Sequence, residues 1–177
     1  MSYLETVQKV MKSDLASSSI AERDKAARDV IGICSFACAG LALQPIPGLE
    51  QAILPIQAGM IVALAHIYGQ EVSKKRGSEI VLDLAAITGA NVVSRAVLLT
   101  VAKVIFPVVG GLVGAPYVFS VTWATGYAAI HYLRSGGRPD KEEIRKIFEE
   151  EKAKSKAEYS EEKAKASRPT EKEIHVD

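Results

Sequence analysis

The sequence predicts an all-α fold: helical hairpins gathered into a four-arm apolar bundle, membrane-embedded or membrane-associated, with a charged C-terminal helix and tail. Three observations carry that expectation. The stretch Val104 to Leu133, VIFPVVGGLVGAPYVFSVTWATGYAAIHYL, holds no Asp, Glu, Lys or Arg, and a membrane-crossing helix needs about 20 mainly apolar residues. Apolar segments at helical spacing are separated by Pro- and Gly-containing turns such as QPIPGLE. Finally, charge is unevenly divided: residues 138–177 hold eleven of the 22 Lys and Arg and twelve of the 21 Asp and Glu. That division separates a mostly apolar helical domain, residues 1–137, from a charged helical to disordered tail, residues 138–177. A competing reading of the uncharged stretch is a buried hairpin in a soluble bundle, its glycines at the bend.

At 177 residues the chain suits one domain able to bury a proper core. A net charge of +1, with no basic stripe interleaved with aromatics, gives no argument for a nucleic-acid partner. The opening MSYLETVQKVMKSD is polar and amphipathic and lacks the apolar region of a signal peptide.

Taken in order, Ser2 to Leu15 places Leu4, Val7, Val10, Met11 and Leu15 on one helical face. Core packing suits it better than an interfacial helix, because only Lys9 and Lys12 supply cations. Ser19 and Glu22 form a capping-box pair, each satisfying an orphan amide at a helix start, so a helix is expected from Ile20 to about Leu43. Pro45 and Pro47 cannot continue it, and Gly48 permits a tight apex. On the second arm, Glu50, Leu54, Gln57, Ile61, Leu64 and Tyr68 make one stripe. Gln57 within it should be buried and hydrogen-bonded across helices, since an unpaired amide there is costly. Pro55 either begins the regular helix or kinks it.

Gly69 and Gly77 flank a polar turn, QEVSKKRGS, and a third arm is expected from Glu79 to about Lys103. Asp83 and Arg95 lie on it, the latter being the strongest single objection to a spanning arm. The fourth arm is the uncharged stretch, expected to break near Pro107 and Pro116. Gly110/Gly114 and Thr122/Gly126, each four apart, would let helices approach closely. After the linker SGGRPD, Asp140 with Glu143 suggests a second capping box. Glu142/Lys146 and Glu150/Lys154 would pair along a solvated helix reaching about Lys165, with Ile144, Ile147 and Phe148 as its one apolar patch. Beyond Pro169 disorder is expected.

Lys and Arg cluster before the first arm (Arg23, Lys25, Arg28), between the second and third (Lys74, Lys75, Arg76) and after the fourth (Arg134, Arg138). The alternate connections hold only Glu50 and Lys103. By the positive-inside rule this suits an even number of spans, with both termini and the middle loop on the cytoplasmic side of a cytoplasmic or intracellular membrane. A soluble bundle with one basic end would give the same pattern.

The order PIPGLE, IQAGMI, HIYG, Arg95 and a Pro- and Gly-rich segment ending TWATGYAAIHYL resembles a bacterial helical family, domain of unknown function 697, over Ala26 to Arg134. The motifs are structural: Pro45, Pro47 and Gly48 at the apex, Gln57, Tyr68 and Gly69 on the second arm, Pro107, Gly110 and Gly126 on the last. The resemblance implies a membrane-associated module without known catalysis, often linked to small GTPase domains. This chain has no GxxxxGK[ST] sequence, so a GTPase would be a separate protein partner.

Chemistry-bearing residues are few. Cys34, Cys38, His66 and His131 could in principle complete a zinc site, but cysteines one helical turn apart are more ordinarily small buried hydrophobes. No orienting carboxylate stands at recognisable spacing for a Cys/His nucleophile. Asp83 with Arg95 reads as a structural pair tying arms together, or as an ion pair in a cleft. The expectation is therefore a non-enzymatic, cofactor-free, membrane-associated scaffold or adaptor whose partners are lipid, a recruited protein and a second copy in a homo-oligomer. Its alternatives are a pore-forming or lipid-remodelling module working through the Gly-rich segment, and a soluble helical binding protein.

Overall fold

The computed structural model describes residues 2–15, 17–43, 49–89, 107–170 and 173, with backbone alone at 49–51 and 107–113. Among them the chain forms seven α-helices, one 3-10 turn and no strand. These are α1 (Tyr3–Lys12), α2 (Ile20–Ala42), α3 (Leu49–Ile67), α4 (Lys74–Thr88), α5 (Pro107–Arg134), α6 (Lys141–Lys154) and α7 (Glu161–Ala166), with the 3-10 turn Ser155–Ala157 joining the last two. The all-α expectation holds. Among the described residues no helix is long and apolar enough to cross a membrane.

Local chemistry fixes most helix starts. Ser19 caps α2 with the reciprocal Glu22 bond, and Ser2 caps α1 in the same way through Glu5. Asp140 accepts from the amides of Glu142 and Glu143 at the head of α6. Gly69 at φ +73 and Gly89 at φ +66 occupy the left-handed region just past α3 and α4, where a side chain would be strained.

α5 is the element the others surround. It packs most extensively on α2 and α6 and also touches α3 and α4. From Gly114 to Leu133 only His131 is exposed, with Pro116, Tyr117 and Tyr127 half-buried. A helix apolar all round belongs in an interior, and here the chain's own helices supply that interior. α2 runs antiparallel to α5: Ile31 meets Gly126, the Phe36 and Phe119 rings meet at a tilt with centroids 4.6 Å apart, and Asp24 reaches Arg134.

Three expectations are corrected. The break near Pro116 is absent, and α5 continues through it. An interior proline costs about 3 kcal/mol, whereas burying side chains the size of Val118 and Phe119 returns about 1.5–3 kcal/mol each, so packing prevails over the local rule. Similarly, α3 runs from Leu49 through an exposed Pro55, which therefore does not begin it. The third arm starts at Lys74 rather than Glu79, because the Ser73 hydroxyl accepts the Arg76 amide and turns KKRG into the first helical turn. Gly77 is tolerated there because α4 presses on α3: a Cβ at Gly77 would sit 2.9 Å from the Ala58 carbonyl oxygen.

The tail also differs from the solvated helix expected of it. Ile144 and Phe148 are buried in the same core as α2 and α5. Trp123 donates its indole N–H to Glu151 at 3.4 Å, Tyr159 meets Phe119 edge-on, and Arg145 Nε donates to the Ile87 carbonyl at the end of α4. The ion pairs along α6 run three residues apart, Glu142–Arg145, Glu149–Lys152 and Glu151–Lys154. α7 lies against α2 so closely that a Cβ on Gly40 would meet the Ala164 carbonyl at 2.4 Å. Farther on, the Tyr3 hydroxyl donates to the Glu173 carbonyl at 2.7 Å, joining the two ends of the chain.

Candidate functional site

The residues singled out from the sequence fall into three places. Pro45, Pro47, Gly48 and Arg95 lie outside the described residues, so neither the apex nor the Asp83–Arg95 pair is placed. Pro107 opens α5, where its missing N–H would have no helical partner anyway. Gly110 lies in the first turns of that helix, and Gly114 is buried.

The first place is a polar bridge inside the bundle. Gln57 on α3, 3% exposed, donates its amide to the hydroxyl of fully buried Thr122 on α5 at 3.1 Å. Cys38 on α2 lies beside the same hydroxyl, so side chains of three helices meet there. Burial pushes the Cys38 thiol up to about 12 and raises Cys34 well above its ordinary range. Thiols held neutral in this way are poor nucleophiles and poor metal ligands. Gly126, one turn beyond Thr122, lets α2 and α5 approach closely: a Cβ there would lie 2.6 Å from Ile31 Cγ1.

The second place is a polar cluster at the start of α4. The Tyr132 hydroxyl donates to Asp83 at 2.9 Å and accepts from Arg76 at 3.3 Å, while Arg76 also pairs with Glu79 at 3.0 Å. These contacts tie α4 to the end of α5. Every member has a partner, and the cluster reads as a structural clasp.

The third place is a solvent-facing groove of about 500 Å³ along the α2–α5 seam, near the basic end of the bundle. Ala27 and Ile130 form its apolar floor, and Tyr68 and Tyr127 its aromatic walls. Lys25, Arg28, His131 and Arg134 stand on the rim, with Asp24 the one carboxylate among the lining residues. Arg134 lies over the Tyr68 ring, 4.8 Å from its centroid, and 3.7 Å from Asp24. The Tyr68 hydroxyl donates to Asp24 at 2.8 Å. Desolvation first, then the Asp24 bond, pushes that phenol up to about 12. Arg28 pairs with Glu158 at 2.7 Å beside the tail and stands 6.0 Å from the Trp123 ring centroid.

Of the groove's residues, the sequence singles out Tyr68 by its stripe, Lys25, Arg28 and Arg134 only as basic clusters, and His131 only as a candidate metal ligand. Asp24, Ala27 and Arg28, and Tyr127, Ile130, His131 and Arg134, recur at helical spacing on their own segments, which is the signal that could have drawn them out. Only the pairing of α2 with α5 makes the two rows one surface. The four residues weighed for zinc do not meet: the cysteines are in the core, His66 Nε2 lies 3.1 Å from the Ser13 carbonyl, and His131 is in the groove. Among the described residues no three His, Cys, Asp or Glu side chains are grouped to hold a metal.

Fold and geometry together define an all-α bundle with a buried polar bridge and one basic, aromatic-walled groove. Compared with protein-family models, with curated proteins and with solved structures, the chain matches none.

Proposed function

We propose that this protein is a non-catalytic helical scaffold that docks on the surface of an anionic membrane and recruits a protein partner. The observation that supports it best is the enclosure of α5: this long helix, uncharged from Pro107 to Leu133, is buried over most of Gly114–Leu133, while charged side chains face outward around it. Such a molecule meets a bilayer through its basic end, where Lys25, Arg28, Lys74, Lys75, Arg134 and Arg138 are exposed. Basic residues near an anionic leaflet contribute about 1 kcal/mol each. The exposed face of α6, with acidic and basic residues in alternation, is the surface we assign to the recruited protein. Kinship with the domain of unknown function 697 would make that protein a small GTPase and the membrane a bacterial cytoplasmic one, with both termini on the cytoplasmic side.

Flotation of the full chain with vesicles tests the docking. Co-flotation with vesicles rich in phosphatidylglycerol, lost in zwitterionic vesicles and weakened by salt as screening requires, is the expected result. Absence of co-flotation even at low salt, or retention that only detergent reverses, would count against surface docking.

A further inference from the structure

We infer that the α2–α5 groove is a binding site for a phosphomonoester, presented either as a lipid headgroup or as a small free organic phosphate. The charge, shape and wall chemistry agree on that ligand. Two guanidinium groups, Arg28 and Arg134, with Lys25 and His131, face a space whose one lining carboxylate is Asp24. Guanidinium forks match a tetrahedral oxyanion with paired N–H bonds, which a point charge on a flexible amine does less well. Arg134, a lining residue of the groove, is held over the Tyr68 ring. The floor of Ala27 and Ile130, and the ring of Tyr127, offer apolar contact for the body that carries the phosphate.

Both arginines now use weak, exposed partners. The Arg28–Glu158 side chains are 59% and 43% exposed, and the Arg134–Asp24 pair is 51% and 55% exposed with a 3.7 Å gap. Ion pairs this exposed contribute little to stability, and an incoming dianion outcompetes a single carboxylate for the same guanidinium. Asp24 is then a competitor within the site, a role that makes a prediction opposite in sign to damage.

The free-phosphate arm stands on the groove alone; the lipid arm rests also on the proposed surface docking. The isotope-labelled full chain is titrated with sn-glycerol 3-phosphate at a pH above the second phosphate pKa of about 6, against glycerol and against potassium chloride at matched ionic strength. Saturable shifts confined to Tyr68, Tyr127, Ile130, His131 and their neighbours are expected. Arg28→Gln and Arg134→Gln should each weaken binding by about tenfold, as for loss of a hydrogen bond to a charged group. Lys12→Gln, exposed on α1 away from the groove, should leave it unchanged, and Asp24→Asn should tighten it. An increase in affinity cannot come from misfolding, so Asp24→Asn keeps the test decisive if an arginine variant folds poorly.

Shifts reproduced by chloride, or insensitive to all three groove variants, overturn the site. Flotation with phosphatidic acid vesicles then separates the sources. Co-flotation lost in Arg134→Gln but kept in Lys75→Gln, which lies outside the groove, identifies the headgroup, and glycerol phosphate binding without co-flotation identifies a free phosphate and removes the docking reading. Co-flotation unaffected by Arg28→Gln and Arg134→Gln, with no glycerol phosphate binding, removes the groove and leaves docking intact.

Discussion

Gln57 and Thr122 meet inside the bundle at 3.1 Å, so α3 and α5 are held in register by one buried polar bond, with Cys38 of α2 beside it. Apolar contacts are non-directional and tolerate sliding, whereas this bond exists at one relative position of the helices. Among the described residues no buried side-chain nitrogen or oxygen is left without a partner.

The bond therefore predicts a non-additive mutant cycle. Thr122→Val strands a buried amide and should cost about 1–3 kcal/mol, while Gln57→Leu with Thr122→Val should cost less than the two single changes summed. Denaturant unfolding of the four proteins measures the coupling. Simple additivity would show that the two side chains contribute independently.

Glycine substitutions should separate by what a Cβ would meet. Gly126→Ala drives a methyl against the branched Ile31 side chain and should cost about 1–3 kcal/mol by overpacking. Gly59→Ala, in the interior of α3 with nothing within 4 Å of the added carbon, should stabilise by about 0.5–1 kcal/mol through helix propensity. Gly136 at φ +64 is an unsuitable neutral control, because any side chain there is strained whatever the space. Melting temperatures that move in the same direction for Gly126→Ala and Gly59→Ala would refute the close contact.

Phe148→Ala should loosen the tail. Its ring is 1% exposed, and removing a buried phenyl costs about 3–5 kcal/mol. Trp123 is the sole tryptophan, buried and bonded to Glu151 on α6, so its emission reports the α5–α6 contact directly. A red shift with faster proteolytic cutting between α5 and α6 is expected. An unchanged spectrum would mean that Ile144 and the Trp123–Glu151 bond hold α6 on α5 without the Phe148 ring.

Alkali should unfold the protein through its tyrosines. Desolvation raises Tyr3 and Tyr68 to about 12 in the folded state, against about 10 in the unfolded chain. A raised folded pKa contributes stability that is complete below the unfolded value and is lost as pH rises through the folded one. Stability should accordingly fall from about pH 10 to about pH 12, with phenolate absorbance appearing late and with the unfolding transition. Full phenolate titration near pH 10 in the native protein would contradict the burial of both rings.

What could be read locally was read well. The Ser19–Glu22 capping box, the helix it begins and the buried, bonded Gln57 follow from spacing and from the cost of an unpaired amide. Rules of equal local force failed where packing outweighed them. Pro116 is a helix breaker by its own chemistry, yet it stands within α5 because neighbours on both sides of it are buried. Ser73 moved the start of α4 back across KKRG, since a single hydroxyl acceptor suffices to begin a turn there. The apolar patch of the tail was visible as Ile144, Ile147 and Phe148, but its destination on α5 was not.

By itself, the sequence determined that this chain is helical, where several of its helices begin, and that its charge gathers at the tail and at one set of connections. Those properties depend on neighbours a few residues away. The tertiary structure alone decided that the uncharged segment is wrapped by α2 and α6 and that the tail closes over it. It alone brought Asp24 and Arg28 opposite Tyr127 and Arg134, residues about a hundred positions apart. Periodicity says which residues share a face of one helix; which two faces meet is set by the packing of whole helices, a long-range choice that no local spacing encodes.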